Sequence, residues 1–238
     1  MDPVDDRKHS SASGRADASL SARPSPFRPE ALAWGFIVLG AALRLFFYLS
    51  NRSLWRDEAA LALNIMSRSL LDFFRPLAYG EVAQVPPAGF VVLVESVRAA
   101  LGSGELALRL VPLVAGLAAL PLFWGIARRV LDPPATALAM VLFALSPPLV
   151  WYSAEFKQYS LDLALGLALT TALLWTGRQE VTVGRGLALA LLGAASVWFS
   201  HPAIFILCGG GLALWAWSVA GRDWKRAGAL AAVGQHGY

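Results

Sequence analysis

One cysteine, three histidines and few charges define this chain by what it lacks. The lone Cys208 excludes an intramolecular disulfide and any cysteine-rich metal site. His9, His201 and His236 are too scattered to suggest a metal site by spacing. Charged residues make up 15% of the 238 positions, against about 25% in a typical soluble domain. There is no Gly-rich phosphate loop, no internal repeat and no basic stripe with interleaved aromatics. A pI near 9.6 therefore does not argue for a nucleic-acid partner. What the chain has instead is apolar residue, 57% of the total, with mean hydropathy +0.55. The Arg and Lys residues sit at the ends of long apolar runs, the pattern of a helical membrane protein.

Residues 1–30 are polar, rich in Ser, Ala and Pro, and mixed in charge, which predicts a disordered tail on the cytoplasmic side. The tail is long, and the apolar run after it is span-length without a small-residue cleavage site, so it is no signal peptide. A spanning helix needs about 20 mostly apolar residues. The runs 31–50, 106–127, 135–152, 160–176, 186–200 and 203–220 give about six spans, and the short fifth is expected to extend into its flanks. The segment 221–238 reads as a basic cytoplasmic end.

The stretch 86–101 is apolar but short, and it contains Glu95 and Arg98. Charge placement decides how it lies. With a cytoplasmic N-terminus and 86–101 outside the bilayer core, twelve Lys and Arg fall in cytoplasmic segments and six on the opposite face. If 86–101 spanned, seven of those twelve, Arg128 and Arg129 among them, would move outside. The positive-inside bias favours the first arrangement. Residues 51–105 then form one long external loop. Within it Leu63, Met66, Leu70, Phe73 and Leu77 recur at spacings of three and four, which predicts an amphipathic helix in the headgroup plane.

Three groups could carry chemistry. Asp57 and Glu58, just beyond the first span, are adjacent carboxylates at a water–lipid boundary, where one could be tuned as a general base. The same residues equally read as a solvated helix start with Asp57 near the N-cap. Glu155, Lys157 and Tyr159 alternate after the third span on the same predicted face, where a Lys among tyrosines suits a lipid phosphate. A snorkelling Lys in an aromatic belt is the plainer alternative. Arg44, Arg109 and Asp162 are charges inside predicted spans, which are functional candidates by default. Arg109 and Asp162, close to helix ends, could simply reach the interface. Gln84 precedes the rigid Val85-Pro86-Pro87 entry to 86–101, and His201 lies in the third external turn.

Taken in order, these features resemble the N-terminal part of a GT-C-fold glycosyltransferase, nearest to the protein O-mannosyltransferase and aminoarabinose-transferase-like group. The matching elements are Arg44-Leu45, Asp57-Glu58, Pro86-Pro87, Ala107-Leu108-Arg109-Leu110-Val111-Pro112, Ser146-Pro147 and Tyr152 through Tyr159, over roughly residues 31–205. The resemblance implies an all-α membrane fold and transfer of a sugar from a polyprenyl-phosphate donor to a lipid, glycan or protein acceptor at the outer face of a bacterial plasma membrane. It would make Asp57 the base. Glu58 and Glu155 would position the acceptor, the sugar or, in some relatives, a divalent metal. Arg44, Lys157 and Tyr159 would face the leaving phosphate, with Gln84 and His201 at the margins. Where the family often has His or Lys before the Pro-Pro pair, this chain has Val85 after Gln84. It also stops soon after the sixth run, whereas such enzymes are usually about twice as long, which predicts a truncated gene product or a partial sequence, inactive alone.

Two other classes compete. A small transporter or lipid flippase should place polar groups and broken helices near the bilayer midplane. Here the acidic groups sit in predicted loops, and Pro147-Pro148 falls near a helix end. A non-catalytic membrane subunit would need Asp57-Glu58 only as a helix start.

Overall fold

The computed structural model describes residues 29–67, 77–79, 82–84, 86–177 and 182–216. Residues 1–28 of the predicted tail, the basic end and residues 68–76 of the amphipathic stretch lie outside that set, while Pro29 and Glu30, counted in the tail, open the first helix. The regular elements among the described residues are helices, apart from one pair of three-residue strands. Three helices are long and apolar enough to cross a membrane: α1 (Pro29–Leu49), α4 (Glu105–Val130) and α7 (Tyr159–Gly177). Three shorter apolar helices accompany them: α5 (Pro133–Leu145), α8 (Val183–Phe199) and α9 (Ala203–Ala216). The remaining elements are α2 (Arg56–Ser67), β1 (Leu77–Tyr79), β2 (Val82–Gln84), α3 (Ala88–Leu101) and α6 (Pro147–Tyr152).

Two sequence expectations change here. The run 135–152 is two helices, because Pro147 and Pro148 lack the N–H groups that would carry α5 onward. The predicted amphipathic helix also shifts. Helix α2 starts at Arg56, its description ends at Ser67, and Leu77 belongs to a strand paired with Gln84 in an antiparallel ladder. Its buried face carries Glu58, Leu61 and Ile65, while Leu63 and Met66 of the predicted stripe are exposed.

Apolar packing assembles the bundle. Ala33 and Ile37 of α1 meet Leu120 of α4 and Met140 and Ala144 of α5. The rings of Phe123 and Phe143 stack there at 4.0 Å. Small residues let helices approach closely: Ala115 and Ala119 of α4 pack on Ala164 of α7. A second cluster lies at one end of the bundle and joins Leu61, Ala62 and Ile65 of α2, Phe90, Val91 and Val94 of α3, Leu108 of α4 and Phe156. Burying a side chain such as Phe90 or Phe156 contributes roughly 1.5–3 kcal/mol.

That second cluster fixes α3. Its first turn packs so tightly on the end of α8 that a Cβ at Gly89 would meet Trp198 and Phe199 within 2.5 Å. Its last residue, Leu101, is joined through Gly102, with φ of +92° suited to glycine, to the start of α4. Both ends of α3 thus lie at the same end of the bundle. Large apolar side chains face outward elsewhere, among them Val38, Phe46, Val114, Leu138, Leu187, Phe205 and Leu212. Soluble monomers rarely expose contiguous apolar surface on this scale.

Candidate functional site

The end of the bundle capped by α2 and α3 gathers most of the charged side chains that sequence reasoning singled out. Helix α1 ends where Asn51 takes a positive φ of 44°, a conformation that Asn tolerates, and the chain turns toward α2. Trp55 then occupies the N-cap of α2, with its carbonyl accepting from Ala59 N–H. Its own N–H donates to Glu58 Oε2 at 2.9 Å, the return half of a capping box.

Glu58 does far more than cap. It is fully buried and accepts from both Nε and Nη2 of Arg109, at 3.3 and 3.1 Å, and from the backbone N–H of Phe156. With Trp55 that makes four donors, enough to occupy the lone pairs of a carboxylate. Arg109 is equally enclosed and also donates to the carbonyl of Arg52. It therefore turns inward rather than out to an interface. One residue pair thus ties together the starts of α2 and α4 and the 153–158 loop. A second close approach presses that loop onto α4, since a Cβ at Gly116 would stand 2.5 Å from Ser153 Cβ.

The loop so fixed presents Glu155 and Lys157. Lys157 is buried and its Nζ lies 2.9 Å from Asp57 Oδ2, whereas the Asp57 side chain keeps about half its surface open, 47%. Burial pushes the Asp57 carboxyl up, but the Lys157 ammonium and N–H groups at the start of α2 outweigh it and hold it below its ordinary value. Glu155 moves the other way: burial and the charges of Glu58 and Asp57 raise it. Its Oε2 is buried without a hydrogen-bond partner. Two carboxylates on one groove are driven apart in acidity, the pattern expected of an acid/base site.

Both line an open groove of about 520 Å³ walled by Trp55, Pro147, Pro148, Trp151 and Tyr152. Aromatic faces beside carboxylates suit a ligand with apolar C–H faces and hydroxyl groups. Behind Trp151, the Arg52 guanidinium lies 3.5 Å from the ring centroid, and two of its nitrogens are buried without partners. Burial and the Arg109 charge hold Arg52 below its ordinary basicity. Tyr159 packs its ring 4.8 Å from Tyr152 at the edge of this group.

Other sequence candidates stand apart. Arg44 is fully buried in α1 and donates from Nη1 to the carbonyls of Gly40 and Ala144, at 2.9 and 3.1 Å. Ala144 O is the acceptor that Pro148, having no N–H, leaves open, so Arg44 caps the broken end of α5 and is not among the residues lining the groove. His201 is exposed, near Asp162 and Ser200 rather than Asp57. The backbone of Gln84 pairs with Leu77, and its side chain lies outside the described residues. Sequence reasoning missed Arg52 and Trp151; a lone Arg after a span and an aromatic before a loop carry no local signal.

Among the described residues no group of three or more His, Cys, Asp or Glu is placed to hold a metal ion. The divalent ion that the resemblance admits finds no complete ligand set there. Comparison of the chain with family models, with curated proteins and with solved structures finds no match.

Proposed function

We propose that this chain is a membrane-embedded glycosyltransferase of GT-C type, or the N-terminal part of one, acting on a polyprenyl-phosphate-linked sugar. The observation that carries the reading is the groove itself: an accessible, ionised Asp57 faces the aromatic walls Trp55 and Trp151 beside a more basic Glu155. In the proposed reaction an acceptor hydroxyl attacks the anomeric carbon of the donor as Asp57 takes its proton. The bond from that carbon to the phosphate oxygen breaks with inversion, and the lipid phosphate leaves with the electron pair. Lys157 and Tyr159 supply cation and hydroxyl toward that leaving charge. Glu58 and Arg109 hold the geometry and do not touch substrate. Glu155, at the groove wall, engages a hydroxyl of acceptor or sugar.

Substituting Asp57→Asn should lower transfer from a polyprenyl-phosphate-sugar in isolated membranes by about 10²–10⁴-fold, the usual contribution of a general base. Undiminished transfer in that variant would remove Asp57 from the mechanism.

The reading includes a topology: six spans, with α5 and α6 together forming the third and α8 and α9 completing the set, and the N-terminus cytoplasmic. It draws support from the Lys and Arg distribution and from the lie of α3, whose two ends share one end of the bundle. A cysteine at Gly104, in a Cys208→Ser background, should react with a membrane-impermeant maleimide on intact cells. Labelling only after permeabilisation would mean that 86–101 spans.

A further inference from the structure

At the end of the bundle opposite the groove, a cavity of about 440 Å³ opens between the start of α1, the end of α4 and the start of α5. Arg128 and Arg129, in the last turn of α4, line it together with Trp124 and Thr136. The Arg128 guanidinium lies over the Trp124 ring, 4.3 Å from its centroid. Stacking fixes the plane of that cation while leaving its N–H edge pointing sideways, the geometry that meets an oxyanion. Among the described residues Arg128 forms no ion pair. Arg129 donates to its own helix at Gly125 O.

Among the described residues Glu30 is the carboxylate that lines the cavity, and Arg128 is exposed over Trp124 without an ion pair. The Asp132 carboxylate is committed to the N-cap of α5, accepting from Ala135 N–H at 3.0 Å. The rim is apolar: Leu32, Trp34, Val130 and Leu131 are exposed, and the Trp34 and Trp124 rings lie 5.0 Å apart. A cationic pocket whose lip is tryptophan and leucine is built for a ligand with an anionic head and an apolar body.

We propose that this cavity binds the headgroup of an anionic phospholipid, with the phosphate at Arg128 and Arg129 and the acyl chains along the exposed faces of α1 and α5. The inference rests on the membrane reading of α1 and α4 but not on the glycosyltransfer reading. The apolar rim selects a lipid over a free phosphate ion, and the short chain length between α4 and α5 keeps the two arginines beside the bilayer surface.

The test uses the full chain in detergent micelles, with lipid retention counted by native mass spectrometry. Phosphatidylglycerol should be retained in preference to phosphatidylcholine, and inorganic phosphate should not displace it. Each arginine near an anionic lipid is worth about 1 kcal/mol, roughly fivefold in affinity. Replacing both, R128Q/R129Q, should therefore weaken phosphatidylglycerol binding about 25-fold. E30Q should strengthen it about fivefold, a gain that damage to the fold would not produce. R98Q, at the other end and paired to Glu95 at 2.6 Å, should change nothing and serves as the charge control. Equal retention of the two lipids, no loss in R128Q/R129Q, or displacement by inorganic phosphate would overturn the proposal. Release of the protein from membranes by alkaline carbonate alone would instead refute the membrane reading.

Discussion

At the groove end Arg109 is enclosed between Glu58 and the carbonyl of Arg52, and Lys157 is buried against Asp57. At the opposite end Arg128 rests on the ring of Trp124, with Arg129 bonded to its own helix. The difference is in what each charge is for. A buried ion pair with every lone pair occupied is fixed in direction, and it gains geometry rather than net stability. A stacked, exposed arginine is held in plane yet can meet a mobile anion. Preorganised polarity at one end suits chemistry, where groups must not move as charge develops. Adaptable polarity at the other suits lipids that exchange.

The contrast breaks most forcefully at Glu58. Substituting Glu58→Ala leaves buried Arg109 with only the longer, part-exposed pair to Glu105 at 3.9 Å among the described residues, and strips acceptors from the N–H groups of Trp55 and Phe156. Loss of one partner of a buried pair costs about 3–5 kcal/mol, so thermal unfolding in detergent should fall sharply and transfer should vanish with the groove. The double variant Glu58→Leu with Arg109→Met removes both charges and should recover part of that loss. The remaining deficit reports the two unsatisfied N–H groups, about 1–3 kcal/mol each. Full recovery in the double variant would show that Glu58 holds no backbone in place. The same exchange at the other end, R128Q/R129Q, should leave unfolding almost unchanged.

A smaller effect is expected at Lys157. Lys157→Met should lower transfer about 10²-fold if its cation faces the leaving phosphate, the scale seen when one stabilising donor is removed. It should also change the pH profile. In the parent, Lys157 helps hold Asp57 below its ordinary value, so the acid limb of kcat/KM lies lower than for an ordinary carboxylate. Without the ammonium, burial is opposed only by the N–H groups at the start of α2, so the Asp57 value rises and the acid limb moves to higher pH. A limb that stays in place would mean that Asp57 is not the titrating base.

How far sequence alone could go is visible in Glu58, Arg44 and the charges of the groove. The apolar helices follow from composition, and their limits agree closely with runs such as 31–50 and 160–176. The buried face of α2 is not legible in sequence because hydrophobic periodicity counts Glu58 as a surface residue. Its charge is paired with Arg109, 51 residues away, and its last acceptor site is taken by Phe156 N–H, 98 residues away. For Arg44 the resemblance implies a phosphate contact. Arg44 is instead needed by a carbonyl 100 residues distant, left open by a proline. Asp57, Glu155 and Lys157 could be placed on one face from charge bias, yet their spacing could not tell which carboxylate is enclosed. Long-range pairing decides which charges go inside, and no local pattern contains it.

The finest test of the groove's polarity is Glu155. Its carboxyl is raised by burial and by the neighbouring charges of Glu58 and Asp57, and one oxygen is buried without a donor. A raised acid favours the folded state only while protonated. Its contribution is present below the unfolded value, about 4.5, and is lost as pH rises through the folded value. Glu155→Gln keeps the shape and never ionises, so it should unfold at a higher temperature than the parent near neutral pH. The gap should be smallest below pH 4.5, open as pH rises through the range above it, and then stay flat. The same variant should transfer sugar more slowly, because the group that costs stability is the one facing the ligand. If Glu155→Gln lowers stability at every pH, Glu155 is held by partners in the fold, and the groove end has no strained carboxylate reserved for substrate.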